Sequence, residues 1–291
     1  MNPQLARYVE HVMGMPVSLA LRGHHTADAA AQDAWRSVMD HLREVDAAFS
    51  TYRPDSWISR LDRGEVTVAD CPPEVAEVLA LAEQAERDSG GAFSAHLPGP
   101  DGRRRLDPSG VVKGWAVERA ATALAALPDT DHCLSAGGDM TCLTVDPDAE
   151  PWRVGIEDPH DPTALVAVVP IFSGAVATSG TAHRGRHLVD ARTGLTPRGV
   201  ASVTVVAPSL TIADIDATAA YAQGPDAAAW LARRPGRSGL VVWENGTTTV
   251  IEPVPVSLVS PVSLVGPVSL VSPVSLVSPV SLVSPVACAP Q

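Results

Sequence analysis

Asp214 and Thr218 stand four residues apart in a run, ADIDATAAYAQG, with helical character, so carboxylate and hydroxyl project from one face. Hard oxygen donors one turn apart suit Mg²⁺ or Ca²⁺ and suit zinc poorly. The same carboxylate would serve equally as a first-turn charge on a helix dipole, worth about 0.3–1 kcal/mol. Asp216 falls on the opposite face of that helix, where solvation is expected. The stretch HLVDARTG, residues 187–194, offers an imidazole at His187 and a carboxylate at Asp190 where an apolar strand meets a turn. A histidine beside a phosphate donates a hydrogen bond or carries a proton; satisfaction by backbone is the plainer use of it. Asp107, Ser109 and Gly110 precede a helix bearing Lys113, the only lysine of the chain. First-turn amides suit an anion, and a lysine there opposes the dipole unless a negative group or solvent compensates.

Weaker signals surround these. Gly137–Gly138 in SAGGDM allow close backbone approach to a ligand, or make a β-turn. Ser179–Gly180 and His183 lie just upstream of His187. Tyr52, in FSTYRPDSWISRL, has a ring that would stack on a flat heterocycle or close the core. Neither GxSxG, Walker A, HExxH nor GxGxxG occurs, which removes the best sequence support for a Ser-His-Asp hydrolase or a Rossmann nucleotide site.

The elements that must position these residues are legible from periodicity. Residues 15–22 alternate as a strand does. Residues 28–49 place Trp35, Met39, Leu42, Val45 and Phe49 on one helical face. Pro73 opens a helix running to about Arg87, ended by Gly90–Gly91, and a third helix is expected over about 111–127. Strand-like runs follow at 132–136, 140–145, 152–156, 164–171, 174–179 and 186–190, then a β-branched run at 200–207. Helices are expected over roughly 211–222 and 225–234, and a hairpin over 238–252 with a type I′ turn at Asn245–Gly246. Without a clean βαβ alternation, this is an α+β domain of mixed sheet layers and packed helices, spanning 1–252.

Residues 253–291 differ in kind. The hexad PVSLVS recurs from Pro255 with one Gly replacement at 266 and a truncated last copy from Pro285. A proline in every copy removes ladder donors and forbids a long helix, so a disordered low-complexity tail is expected.

A net charge of −12 argues against general affinity for nucleic acid or anionic membrane. The four cysteines are scattered, with no CxxC pair, and imply neither a zinc site nor a disulfide framework. No 18-residue apolar run or signal-like leader is seen, so the expectation is no membrane span and a cytoplasmic protein.

In order along residues 11–251, MGMPVSLAL, FSTYRPDSWISRL, GGAFSAHLPG, LDPSGVVKGWAVERA, SAGGDM, WRVGIEDP, ATSG, HLVDARTG and ADIDAT resemble the FAD:protein FMN transferase (ApbE) family. The resemblance implies FAD bound as substrate in a central cleft, and a target protein that accepts FMN on a Ser or Thr with release of AMP. By position it implies flavin-nucleotide contacts from Met13, Tyr52, Ala92, Phe93, Ser94, Asp107, Lys113 and the strand His187–Val189. It further implies Mg²⁺ held by Asp214, Thr218 and the carbonyls of Gly110 and Ala217, with His187 and Asp214 as the catalytic pair. Ser135, Ser94 and Ala191 stand where the family usually has Asn, Asp and Pro. The same site with water as nucleophile would be an FAD pyrophosphatase; without turnover it would be an FAD-binding protein.

Overall fold

The computed structural model describes residues 5–99, 102–146, 148–180 and 188–253. His183, His187 and the hexad tail therefore lie outside the described residues.

The chain opens with a hairpin of β1 (Ala6–Val12) and β2 (Met15–Gly23). Its two-residue loop, Met13–Gly14, has φ of 54° and 69°, as a type I′ turn requires. Met15, Val17, Leu19 and Leu21 of β2 alternate inward and are buried. Asp28 caps α1 (Ala29–Phe49), accepting from the Ala31 amide at 3.0 Å, and the stripe from Trp35 to Phe49 is buried as its spacing predicts. Ser56 caps the short α2 (Trp57–Asp62), and α3 (Pro73–Asp88) begins on its proline. A small hairpin, β3 (His96–Pro98) and β4 (Arg104–Leu106), leads into α4 (Ser109–Ala120) and α5 (Thr122–Ala125). The third expected helix thus starts two residues early and is interrupted at Ala121.

Next come β5 (Thr130–Ala136), β6 (Asp139–Leu143), the ribbon β7 (Trp152–Asp158) and β8 (Asp161–Ile171), then β9 (Ser173–Gly180) and β10 (Val200–Ala207). The described domain ends with α6 (Leu210–Ala222), α7 (Ala227–Leu231), β11 (Ser238–Trp243) and β12 (Thr248–Ile251). Eight strands form one sheet in the order β1-β2-β5-β6-β9-β10-β11-β12, with every neighbouring pair antiparallel. Helices cover one face: Val38, Leu42, Val111, Trp115 and Leu210 pack with Leu19, Leu134, Val203 and Val241. The β7–β8 ribbon covers the other, where Val154, Ile156, Val169 and Ile171 meet Cys142, Val176, Val206 and Val242. Sandwiching explains why β10, Ser202 apart, is a run of apolar and β-branched residues: both of its faces are buried. The α+β class expected from sequence is the one found.

Two expectations about strands and turns are corrected. Leu188–Asp190 is not a strand. The Asp190 amide donates to the Leu195 carbonyl (2.9 Å) and its carbonyl accepts from Thr193 and Gly194, so its hydrogen bonds close a tight turn instead of a ladder. At Asn245–Gly246 only Gly246 has positive φ. The Gly246 amide donates to the Trp243 carbonyl and the Trp243 amide to the Thr247 carbonyl, a three-residue loop with a left-handed glycine. A second two-residue turn falls at Gly137–Gly138, with φ of 58° and 97°. That turn pairs Cys133 with Cys142 across β5 and β6, so two cysteines nine positions apart in the sequence have sulfurs 3.4 Å from each other.

Candidate active site

Two helices cross where chemistry is concentrated. A Cβ at Gly114 of α4 would lie 2.7 Å from the Asp214 Cβ and 2.7 Å from the Leu210 carbonyl oxygen of α6, so this approach requires glycine. The Gly114 amide consequently donates to Asp214 Oδ2 at 2.8 Å. Lys113, one residue earlier, places Nζ 3.2 Å from Asp214 Oδ1 and also ion-pairs with Asp139 Oδ2. Asp139 is the first residue of β6 after the Gly–Gly turn, and its Oδ1 accepts from the Thr178 amide of β9 at 2.9 Å. One helical turn beyond Asp214, the Thr218 and Ser179 hydroxyls are 3.0 Å apart. A Cβ on Gly110 would meet the Phe93 ring at 2.8 Å and Thr218 Cγ2 at 3.5 Å, so these three are packed together.

Helix α6 is held in register from both sides. Ser209 caps it, and Glu118 of α4 accepts from the Ser209 hydroxyl (2.7 Å), the Thr211 amide (2.9 Å) and the Thr211 hydroxyl. A carboxylate at a helix N-terminus also meets the favourable end of its dipole. Asp216 is not solvated as expected. It is 1% exposed, with Arg237 Nε at 2.8 Å and Arg234 at 3.4 Å. Because α6 is enclosed by the sheet and its neighbouring helices, this acid is paired with half-buried arginines instead of water.

The acids are only 1% (Asp139) and 2% (Asp214) exposed, whereas the Lys113 side chain is 20% exposed. Burial pushes the Asp214 carboxyl up to about 7; the Lys113 ammonium opposes that shift and the Asp139 charge adds to it. Burial pulls the Lys113 ammonium down, but Asp214 and Asp139 together hold it above the ordinary lysine range. Two buried carboxylates sharing one ammonium leave an uncompensated negative charge beside two hydroxyls. That donor set is all oxygen and fits a hard divalent cation. Among the described residues no group of three or more His, Cys, Asp or Glu could hold a metal, so a cation here would draw on hydroxyl and carbonyl oxygens as well.

Of the residues singled out in the sequence, Phe93, Gly110, Lys113, Asp214 and Thr218 converge. Ala217 is wholly buried in α6. The Ala92 carbonyl accepts from the Ala191 amide at 3.0 Å, tying the loop that carries half-buried Val189 to this wall. The Ser94 hydroxyl donates to Glu86 (2.8 Å) and accepts from the His96 amide (3.0 Å). Asp107 accepts from the Ser109 amide at 3.0 Å and so shapes the entry to α4. Met13 sits in its hairpin turn, partly packed on the main core. Tyr52 is 96% exposed and does not close the core. Asp139 and Glu118 are the residues that sequence reasoning missed. The signal for Asp139 was its place directly after the Gly–Gly turn, and Glu118 lies one turn beyond Gly114 on the face that meets α6.

Comparison with known proteins bears on this geometry. The sequence model of the ApbE family matches residues 13–98 and 95–241. The FAD:protein FMN transferase of Escherichia coli (strain K12) is 30% identical over 151 residues, 48% of this chain and 43% of that protein. That of Rhodobacter capsulatus is 32% identical over 174 residues, 54% of this chain and 32% of that protein. The match therefore spans less than half the length of either relative. Among solved structures, an ApbE protein of Thermotoga maritima superposes with a TM-score of 0.72 at 22% identity, covering 86% of this chain and 97% of the other. The apo form of the Pseudomonas stutzeri flavinyl transferase ApbE also gives 0.72, at 24% identity over 86% and 95%. At these identities the superpositions establish a shared fold.

Proposed function

This chain belongs to the ApbE family, and from that premise we propose that it is a Mg²⁺-dependent FAD:protein FMN transferase. In the reaction a Ser or Thr hydroxyl of an acceptor protein attacks the FMN phosphorus of FAD. A new phosphoester forms, the diphosphate P–O bond to the adenylate breaks, and AMP leaves with the bridging oxygen. Bound Mg²⁺ supplies Lewis-acid stabilisation of charge on the phosphoryl oxygens. Asp214, Thr218 and the carbonyls of Gly110 and Ala217 would hold it.

The chain's own residues do the rest. The Lys113 ammonium, more open than the acids that flank it, is the cationic donor toward the diphosphate, and the first amides of α4 favour an anion there. Phe93 and Ala92, with Met13, Ser94, Asp107 and Val189, line the path of the flavin nucleotide. Tyr52, already exposed, is free to stack on its ring. His187 is assigned to orient the phosphate or move the acceptor proton, and Asp214 to hold the cation. The names of the curated relatives support the activity. The observation that carries the assignment is the convergence of buried Asp214 with Lys113, Gly110 and Thr218 at one helix crossing.

The test is incubation with FAD, Mg²⁺ and a Ser/Thr-bearing acceptor protein, followed by intact-mass analysis. Covalent FMN on the acceptor with matching AMP supports transfer. Free FMN with an unmodified acceptor shows water as the nucleophile. Among the described residues no helix is long and apolar enough to cross a membrane.

A further inference from the structure

The two buried acids divide their oxygens in the same way. Asp214 gives Oδ2 to the Gly114 amide (2.8 Å) and Asp139 gives Oδ1 to the Thr178 amide (2.9 Å). What each has left, Asp214 Oδ1 and Asp139 Oδ2, faces the Lys113 ammonium. The Asp214 oxygen without a backbone donor, Oδ1, is therefore the one Lys113 already occupies. The acids are fixed by backbone donors and near-total burial, while the lysine is the partly exposed member and ion-pairs with both.

We propose that the Lys113 ammonium and a divalent cation compete for the Asp214 carboxylate, with Asp139 the positioning residue that retains Lys113 when the cation enters. The inference rests on the metal-dependent reading above. Its consequence is that the protein carries its own partial counter-ion: without metal the ammonium offsets one of the two carboxylate charges, and metal entry turns the lysine from Asp214 toward the cleft, still anchored by Asp139. Like charges a few ångströms apart in a buried site repel by amounts that matter to affinity, so the two cations cannot share one oxygen without cost.

Mn²⁺ alone, titrated into flavin-free protein with the free ion read by electron paramagnetic resonance, tests this without reference to activity. Lys113→Met leaves the acids uncompensated and should tighten Mn²⁺ binding at least about tenfold. Asp139→Asn leaves Asp214 as the only partner of Lys113 and should weaken binding about tenfold. The double variant restores the original charge and should bind within about threefold of wild type. Equal or weaker binding by Lys113→Met overturns the competition. A double variant about tenfold or more weaker than wild type makes Asp139 a direct ligand and overturns its retaining role. Should Lys113→Met fail to fold, Lys113→Gln takes its place, and Mn²⁺ should raise its Tm more than that of wild type. No Mn²⁺ binding by wild type overturns the inference; the transferase reading is judged separately, by AMP release and acceptor mass.

Discussion

Gly114→Ala is the substitution whose sign the helix crossing fixes. In an isolated helix interior the change should help, since alanine exceeds glycine in helix propensity by about 0.8–1 kcal/mol. Here the added methyl would sit 2.7 Å from the Asp214 Cβ and 2.7 Å from the Leu210 carbonyl oxygen, well inside van der Waals contact. The carbonyl is backbone and cannot rotate aside, so α4 and α6 must separate. Overpacking of this kind costs about 1–3 kcal/mol. Lengthening the Gly114 amide bond to a buried carboxylate, now 2.8 Å, forfeits part of a charge-assisted hydrogen bond worth about 1.5–3 kcal/mol. Set against the propensity gain, net destabilisation is about 2–4 kcal/mol, which for a domain of this size lowers Tm by roughly 5–10 °C. Urea and thermal melts of the purified variant read it directly, and AMP release from FAD should fall because Asp214 and Lys113 move apart. A variant as stable as wild type or more so would show that the helices are not in contact at this residue.

Other expectations concern charge and pH. Burial pulls the His132 imidazole down to about 4, against the weaker opposing influence of Asp131, so the folded protein keeps it neutral while the unfolded chain protonates near 6.5. Across that window the unfolded state binds more protons: stability is intact above about pH 6.5 and declines by up to about 3 kcal/mol toward pH 4. Urea melts of His132→Leu should show a flatter profile between those values, and an unchanged slope would contradict the assignment. Glu118→Gln keeps shape but removes the negative charge at the start of α6, and should cost about 1–2 kcal/mol in denaturant melts.

Sequence patterning delivered those elements whose burial is one-sided. The Trp35–Phe49 stripe of α1 and the alternation of β2 each face a single core, so their periods survive in the sequence. The Asp214–Thr218 spacing was equally legible because four residues make one helical turn. Where an element is enclosed, the signal fails. Helix α6 is apolar nearly all round, so nothing in its pattern told that Asp216 would meet Arg234 and Arg237 instead of water. Asp139 escaped notice because its partner Lys113 is 26 positions away and joins it only through the sheet–helix packing. The Cys133–Cys142 contact, by contrast, follows once Gly137–Gly138 is taken as a two-residue turn, since that turn fixes the whole β5–β6 register. For the loop after His187, a short apolar run resembled a strand, yet the Asp190 turn absorbs the backbone bonds a strand would have shared.

If Asp214 holds a cation that serves phosphoryl transfer, release of AMP from FAD depends on its carboxylate. Wild type with Mg²⁺ should release AMP, and Asp214→Asn, compared at saturating FAD and equal folded concentration, should release it at least about 100-fold more slowly. Equal rates from the two proteins would contradict the assignment of Asp214, and with it the placing of the chemistry at the α4–α6 crossing.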